Sequence, residues 1–194
     1  LFFSDNGPLF DMSPIFKVMA PDLVDATGST AGLSGSKGSA MEGGIRVPAV
    51  MWWKGIIENE KSDQFFFVQD VLPTLLTAAN IKTSEADKFD GEDKWSNLLS
   101  GQIVPPKNAF VGARIMFDER ALFNNQWKLY SAKPVLAPVS PSYKLFNIIE
   151  DPFEQNDLAE EEPEIFKAMK KTITSYIERD VVGNTVSYTH LRAH

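Results

Sequence analysis

Apolar residues fall into three patterns along the chain. Short continuous runs at Leu1 to Phe3 and Val47 to Trp53 read as strands buried on both faces, because a strand with one wet face would alternate apolar and polar. Phe65 to Val68 is a further short apolar run. The pattern then turns helical: Asp70 suits the N-cap of a helix from Val71 to Ala79, Pro73 is tolerated in its first turn, and Leu72, Leu75, Leu76 and Ala79 share one face. A short helix around Trp95 to Leu99 precedes Gly101. Beyond Pro105-Pro106 the period becomes two. Phe110 to Phe117 and Arg120 to Ser131 alternate as antiparallel strands do, with Asn124-Asn125 as a hairpin turn tolerant of positive φ. Tyr143 to Ile149 adds a strand after a loop holding Pro134, Pro138 and Pro141. A closing helix opens at Pro163 behind Glu160, Glu161 and Glu162, whose charges favour the positive end of its dipole. On it Ile165, Phe166, Met169, Ile173, Tyr176 and Ile177 form one stripe at helical spacing.

These patterns describe an α/β protein in two parts: residues 1–104 as part of a larger α/β domain, and 105–180 as a small antiparallel sheet with a helix packed on it. Between the elements, Leu9 to Leu23 is broken by Pro14 and Pro21 and reads as a loop with one helical turn. Gly28 to Gly44 holds six of the 12 glycines and is a loop whose backbone approaches something closely. Residues 181–194 are a tail. From Val186 onward they show no continuing period and resemble translated sequencing-adapter read-through, which sets His190 and His194 aside as candidate bases.

Composition narrows the chemistry. In 194 residues, 43% hydrophobic, there is ample material for a core. A formal charge of −7 argues against nucleic acid as the main partner, since phosphate contacts need a basic face. The absence of cysteine removes thiol catalysis, Cys-ligated zinc and disulfides. No apolar run reaches the length of a membrane span. The chain opens at Leu1 in mid-strand, which is expected of a piece of something longer.

Two stretches carry candidate chemistry. Ser4-Asp5-Asn6-Gly7-Pro8 follows the first strand and delivers carboxylate and amide oxygens to one point, where α/β proteins bind ligands. Such oxygens suit a hard cation, Ca²⁺ or Mg²⁺, although the same residues also make an ordinary turn. Gly35-Ser36-Lys37-Gly38-Ser39 sets one ammonium between glycines, free to reach an oxyanion or simply solvated. It is not a phosphate-binding P-loop: Ser36 stands where that motif needs Gly, and Glu42-Gly43-Gly44 and a strand follow in place of a helix. Glu42 and Arg46 are expected to pair as scaffolding, and Trp52 and Trp53 to serve packing.

The succession Ser4 to Gly7, Gly35 to Ser39, Glu-Gly-Gly-Ile-Arg-Val-Pro at Glu42 to Pro48 and Asp-Val-Leu-Pro-Thr-Leu-Leu at Asp70 to Leu76 resembles the C-terminal half of the arylsulfatase family. Asp90-Gly91, Trp127 to Leu129, Tyr143 to Asn147 and Glu150 to Glu154 are similar to that family's C-terminal subdomain. The resemblance implies an alkaline-phosphatase-like mixed-sheet sandwich for the first part. It also implies a sulfuric ester hydrolase in which Asp5 and Asn6 are two ligands of an active-site Ca²⁺ and Lys37 is the catalytic, substrate-binding contact to the sulfate. It further implies an aryl or carbohydrate sulfate as substrate and an extracytoplasmic location. The family's nucleophile, a formylglycine made within a Cys-x-Pro-x-Arg type motif, has no counterpart in this sequence. Alone, then, the chain is expected to be inactive, with unpaired strand edges and weak metal binding. Alternatives are a phosphodiesterase or phosphonate hydrolase on the same scaffold, and a non-catalytic module for sulfated glycans.

Overall fold

A computed structural model describes residues 1–9, 28–82, 89–114 and 117–182. The loop expected from Leu9 to Leu23 lies, beyond Leu9, outside the described residues, as does the ending from Val186. In chain order the elements are β1 (Phe2–Phe3), a single helical turn α1 (Glu42–Ile45), β2 (Ala49–Val50), α2 (Val68–Ala78), α3 (Trp95–Ser100), β3 (Ala109–Arg114), β4 (Phe117–Asn124), β5 (Trp127–Pro134), β6 (Ser142–Asn147) and α4 (Pro163–Val182).

The strands β3-β4-β5-β6 form one antiparallel sheet in sequence order. Asn124 pairs with Trp127, so the β4–β5 turn is Asn125-Gln126, one residue later than the sequence suggests. Asn125 takes φ 55°, the left-handed conformation that asparagine tolerates, and its N–H donates to Pro106 O at 2.8 Å.

Both faces of this sheet are covered. On one, Leu122, Leu129 and Leu145 pack against Met169 and Ile173 of α4, flanked by Ile165, Phe166, Tyr176 and Ile177. The whole stripe expected of that helix thus meets the sheet, and Tyr176 stacks on Phe110 with ring centres 5.2 Å apart. Each large side chain buried here contributes about 1.5–3 kcal/mol. On the opposite face Ala113, Ala121, Phe123 and Phe146 pack against Ala40 and Ile148, with Met41, Ile45, Phe65 and Phe67 beside them. That cover is mostly loop, contributed by the first half of the chain.

Three expectations for the first half change. The runs at Leu1 to Phe3 and Val47 to Trp53 are not buried strands. They form a two-residue antiparallel ladder, Phe2 opposite Val50 and Phe3 opposite Ala49, with Phe2 77% and Trp52 75% exposed. Further along the second run, Trp53 meets Trp95 of α3, with ring centres 5.7 Å apart. Next, α2 begins at Val68, not Val71. Asp70 serves it from inside the first turn, its carboxylate accepting the Phe67 N–H at 2.8 Å.

The third change concerns which face of α2 is buried. Asp70, Pro73 and Thr74 are covered, while Leu72 and Leu75 are exposed. The polar side is the docked side because it satisfies the backbone of the next segment. Asp70 Oδ1 accepts the Glu92 N–H at 2.8 Å and Thr74 Oγ1 the Lys94 N–H at 2.9 Å. The short helix before Gly101 is present as expected, ending with that glycine at φ 68°.

Candidate functional site

The turn that carries Asp5 and Asn6 is held by backbone contacts. Ser4 N–H donates to Pro48 O at 3.3 Å, Gly7 N–H to Gly44 O at 2.8 Å, and Lys37 N–H to Pro8 O at 2.9 Å. These bonds bring the Ser4 to Pro8 turn and the Lys37 loop together, although the two lie about thirty residues apart. Glycine is required at the junction. A Cβ on Gly7 would stand 1.9 Å from Gly43 O, one on Gly43 2.4 Å from Gly35 O, and one on Gly44 2.2 Å from Ser39 O. Gly43 and Gly44 belong to α1, so a helical turn, not a strand, directly follows the loop. One of the two arguments against a P-loop is thereby corrected. Ser36 before Lys37 still stands, and a single turn is too short to resemble that motif's helix.

Asp5 is exposed, and among the described residues no group pairs with its carboxylate. Asn6 donates its amide nitrogen to Gly7 O at 2.9 Å, and Ser4 Oγ donates to Asn6 O at 3.0 Å. That orients the Asn6 side chain and leaves its amide oxygen without a hydrogen bond among the described residues. Lys37 is exposed, between Gly35 at φ 75° and Gly38 at φ 89°. Among the described residues no group of three His, Cys, Asp or Glu side chains could hold a metal ion. Asp5 and Asn6 offer two hard oxygen donors, chemically suited to Ca²⁺ but only part of the roughly six to eight that it takes.

Beneath the loop lies a charged cluster whose role the sequence did not reveal. Lys128, on β5, is fully buried, with Nζ 2.9 Å from Glu42 Oε1 and 2.7 Å from Glu154 Oε1. Its ammonium also sits 5.0 Å from the centre of the Phe123 ring. Glu154 Oε2 accepts the Glu42 N–H at 2.8 Å, the first free donor of α1. Glu154 adopts φ 57°, a conformation unusual for a glutamate. Burial raises its pKa above the usual carboxylate range, opposed by Lys128 and the Glu42 N–H. On its outer side Glu42 pairs with Arg46 at 3.1 Å, as the sequence predicts. A second carboxylate, Glu119 of β4, accepts Ser39 Oγ at 2.7 Å and the Ala40 N–H at 2.8 Å. Burial and Glu119 together push the neighbouring Tyr130 hydroxyl well above its ordinary pKa. Ser34 Oγ donates to Phe153 O at 2.6 Å.

The signal for Lys128 lies in the sheet register, where it stands opposite Phe123 on one side and Phe146 on the other. A lysine flanked by two core phenylalanines is a buried lysine. The register has to be known before that can be read.

Comparison with known proteins bears on both halves. Residues 1–81 match the family model described as Sulfatase. An uncharacterized sulfatase of Schizosaccharomyces pombe is 30% identical over 154 residues, covering 74% of this chain and 27% of the relative. The N-acetylgalactosamine-6-O-sulfatase of Bacteroides thetaiotaomicron is 22% identical over 186 residues, covering 90% of this chain and 35% of its own length. The chain thus spans about a third of these relatives. The solved structure of Ps i-CgsB superposes with a TM-score of 0.66 at 23% identity, over 90% of this chain and 35% of that one, and so shares its fold. No helix of the described residues is long and apolar enough to cross a membrane. With the family's model matched over residues 1–81, where the Asp5 turn and the Lys37 loop lie, and sulfatases among its relatives, the chain belongs to the sulfatase family.

Proposed function

We propose that the polypeptide containing this chain hydrolyses sulfate esters, and that this chain supplies part of its active site. The observation that supports the reading is the backbone junction Lys37 to Pro8 and Gly7 to Gly44, which joins the loop that carries Lys37 to the turn that carries Asp5 and Asn6. In sulfate ester cleavage, negative charge grows on the sulfuryl oxygens and on the leaving oxygen. A preorganised cation stabilises that charge most where water is excluded. Lys37 is the group for the sulfuryl oxygens: a compact charge with three donors, on a backbone fixed on both sides. Asp5 and Asn6 are two of the ligands for Ca²⁺, which when bound supplies a fixed positive charge at the same place. The nucleophile, a formylglycine by family resemblance, belongs to polypeptide outside this sequence. Relatives named for N-acetylgalactosamine 6-sulfate favour a carbohydrate sulfate as substrate. An extracytoplasmic compartment is the location that the family resemblance supports.

The test is turnover by the intact protein of 4-nitrophenyl sulfate and of 6-sulfated N-acetylgalactosamine, with and without Lys37→Ala and Asp5→Ala. Each substitution should lower turnover by about 10²–10³-fold, and Asp5→Ala should also weaken Ca²⁺ binding. Hydrolysis of bis(4-nitrophenyl) phosphate in preference to the sulfates would favour a phosphodiesterase. Binding of sulfated glycans with no turnover of either would favour a non-catalytic module.

A further inference from the structure

We propose that Glu119 and Lys128, on the antiparallel sheet, and Glu154, in the segment that follows its last strand, are positioning residues for Lys37. The proposal rests on the reading of Lys37 as the sulfate-contacting cation. The segment from Gly28 to Met41 contains neither strand nor helix, so its path is set by where it is tied. Its ties surround Lys37. Three residues before it, Ser34 bonds to Phe153 O; two and three residues after it, Ser39 Oγ and the Ala40 N–H both bond to Glu119. Beyond these, the Glu42 N–H is held by Glu154. Every one of these acceptors lies on or next to the sheet, at least 79 residues away along the chain. Lys37 itself is exposed, so its position follows from its backbone.

Lys128 makes this arrangement possible. Without its ammonium, the buried Glu154 carboxylate would have no cation and Glu42 would keep only Arg46 on its outer side, and like charges in such a setting repel strongly. The disturbance would reach α1, whose Gly43 and Gly44 are locked against Gly7. None of the three residues need touch the substrate.

The experiment is a double-mutant cycle in the intact protein, following 4-nitrophenyl sulfate turnover, paired with amide hydrogen exchange. Lys128→Met and Glu119→Gln are each made alone and together with Lys37→Ala. If they act through Lys37, each should lower kcat/KM by about tenfold or more when Lys37 is present, and by less than about twofold when it is already alanine. Exchange at Gly35 to Gly44 should quicken while the β4–β5 hairpin and α4 stay protected. Lys170→Ala, on the far helix, should change neither. Equal losses in both backgrounds, or loop exchange unchanged, would overturn the proposal. If Lys128→Met does not fold, Glu119→Gln and Glu154→Gln decide the same question. Turnover left unchanged by Lys37→Ala would refute the functional reading first, and exchange would still show separately whether the sheet holds the loop.

Discussion

The two faces of the four-stranded sheet are covered in different ways. On the α4 face the contact is apolar throughout, Leu122, Leu129 and Leu145 against Met169 and Ile173, because the helix satisfies its own backbone and has only a side-chain stripe to bury. On the opposite face the cover is a glycine-rich loop with unsatisfied N–H groups. Burying those without acceptors would cost about 1–3 kcal/mol each. There the sheet and the segment after it supply carboxylates, Glu119 for Ala40 and Glu154 for Glu42, with Lys128 paired to Glu154. A helix can be held by shape and hydrophobicity; an irregular segment has to be held by hydrogen bonds to named groups. The candidate site sits on the second kind of support.

The sharpest way to break this contrast is to remove a charge from the loop side. Lys128→Ala should destabilise the protein by about 3–5 kcal/mol in urea unfolding, since it leaves the buried Glu154 carboxylate without a cation and Glu42 with Arg46 alone. A loss under about 1 kcal/mol would mean that the cluster is dispensable. On the apolar side, Leu129→Ala should cost about 2–5 kcal/mol by the same measurement, through the cavity it opens, without quickening exchange in the loop. Glu119→Gln is milder. It keeps one acceptor and should cost about 1–3 kcal/mol, with the effect concentrated at Ser39 and Ala40.

The smallest effect is a pH dependence. Burial raises the pKa of Glu154, so its contribution to stability is complete below the ordinary glutamate range and is lost as pH rises through its folded value. Asp70, raised chiefly by burial although the Glu92 and Phe67 N–H groups oppose it, acts in the same direction. Stability should therefore decline as pH rises from about 4 toward neutrality, and Glu154→Gln should flatten the decline without removing it. An unfolding midpoint indifferent to pH in the unmodified protein would contradict both assignments.

How far the sequence could be read follows the same division. The α4 stripe was legible residue by residue, because a 3.6 period over an amphipathic helix has one reading. The α2 stripe was equally regular and yet points outward. Its leucines give the stronger pattern, but Asp70 and Thr74 bond to the backbone at Glu92 and Lys94, and periodicity carries no information about such bonds. The Asp5, Asn6 and Lys37 stretches stood out through their turn and glycine chemistry. The residues beneath them did not, because Lys128 in an alternating strand looks like any solvated lysine and its partner Glu42 is 86 positions away.

Those long separations bear on the order of folding. The hydrogen bonds that tie the loop to the sheet and the segment after it join residues 79 to 119 positions apart, so these ties form only once the strands have been made. During synthesis the Lys37 segment emerges more than a hundred residues ahead of Glu154, at about 5–20 residues per second. Until the sheet follows, Ser34, Ser39, Ala40 and Glu42 lack the acceptors that hold them. The antiparallel sheet is thus the template on which the loop settles.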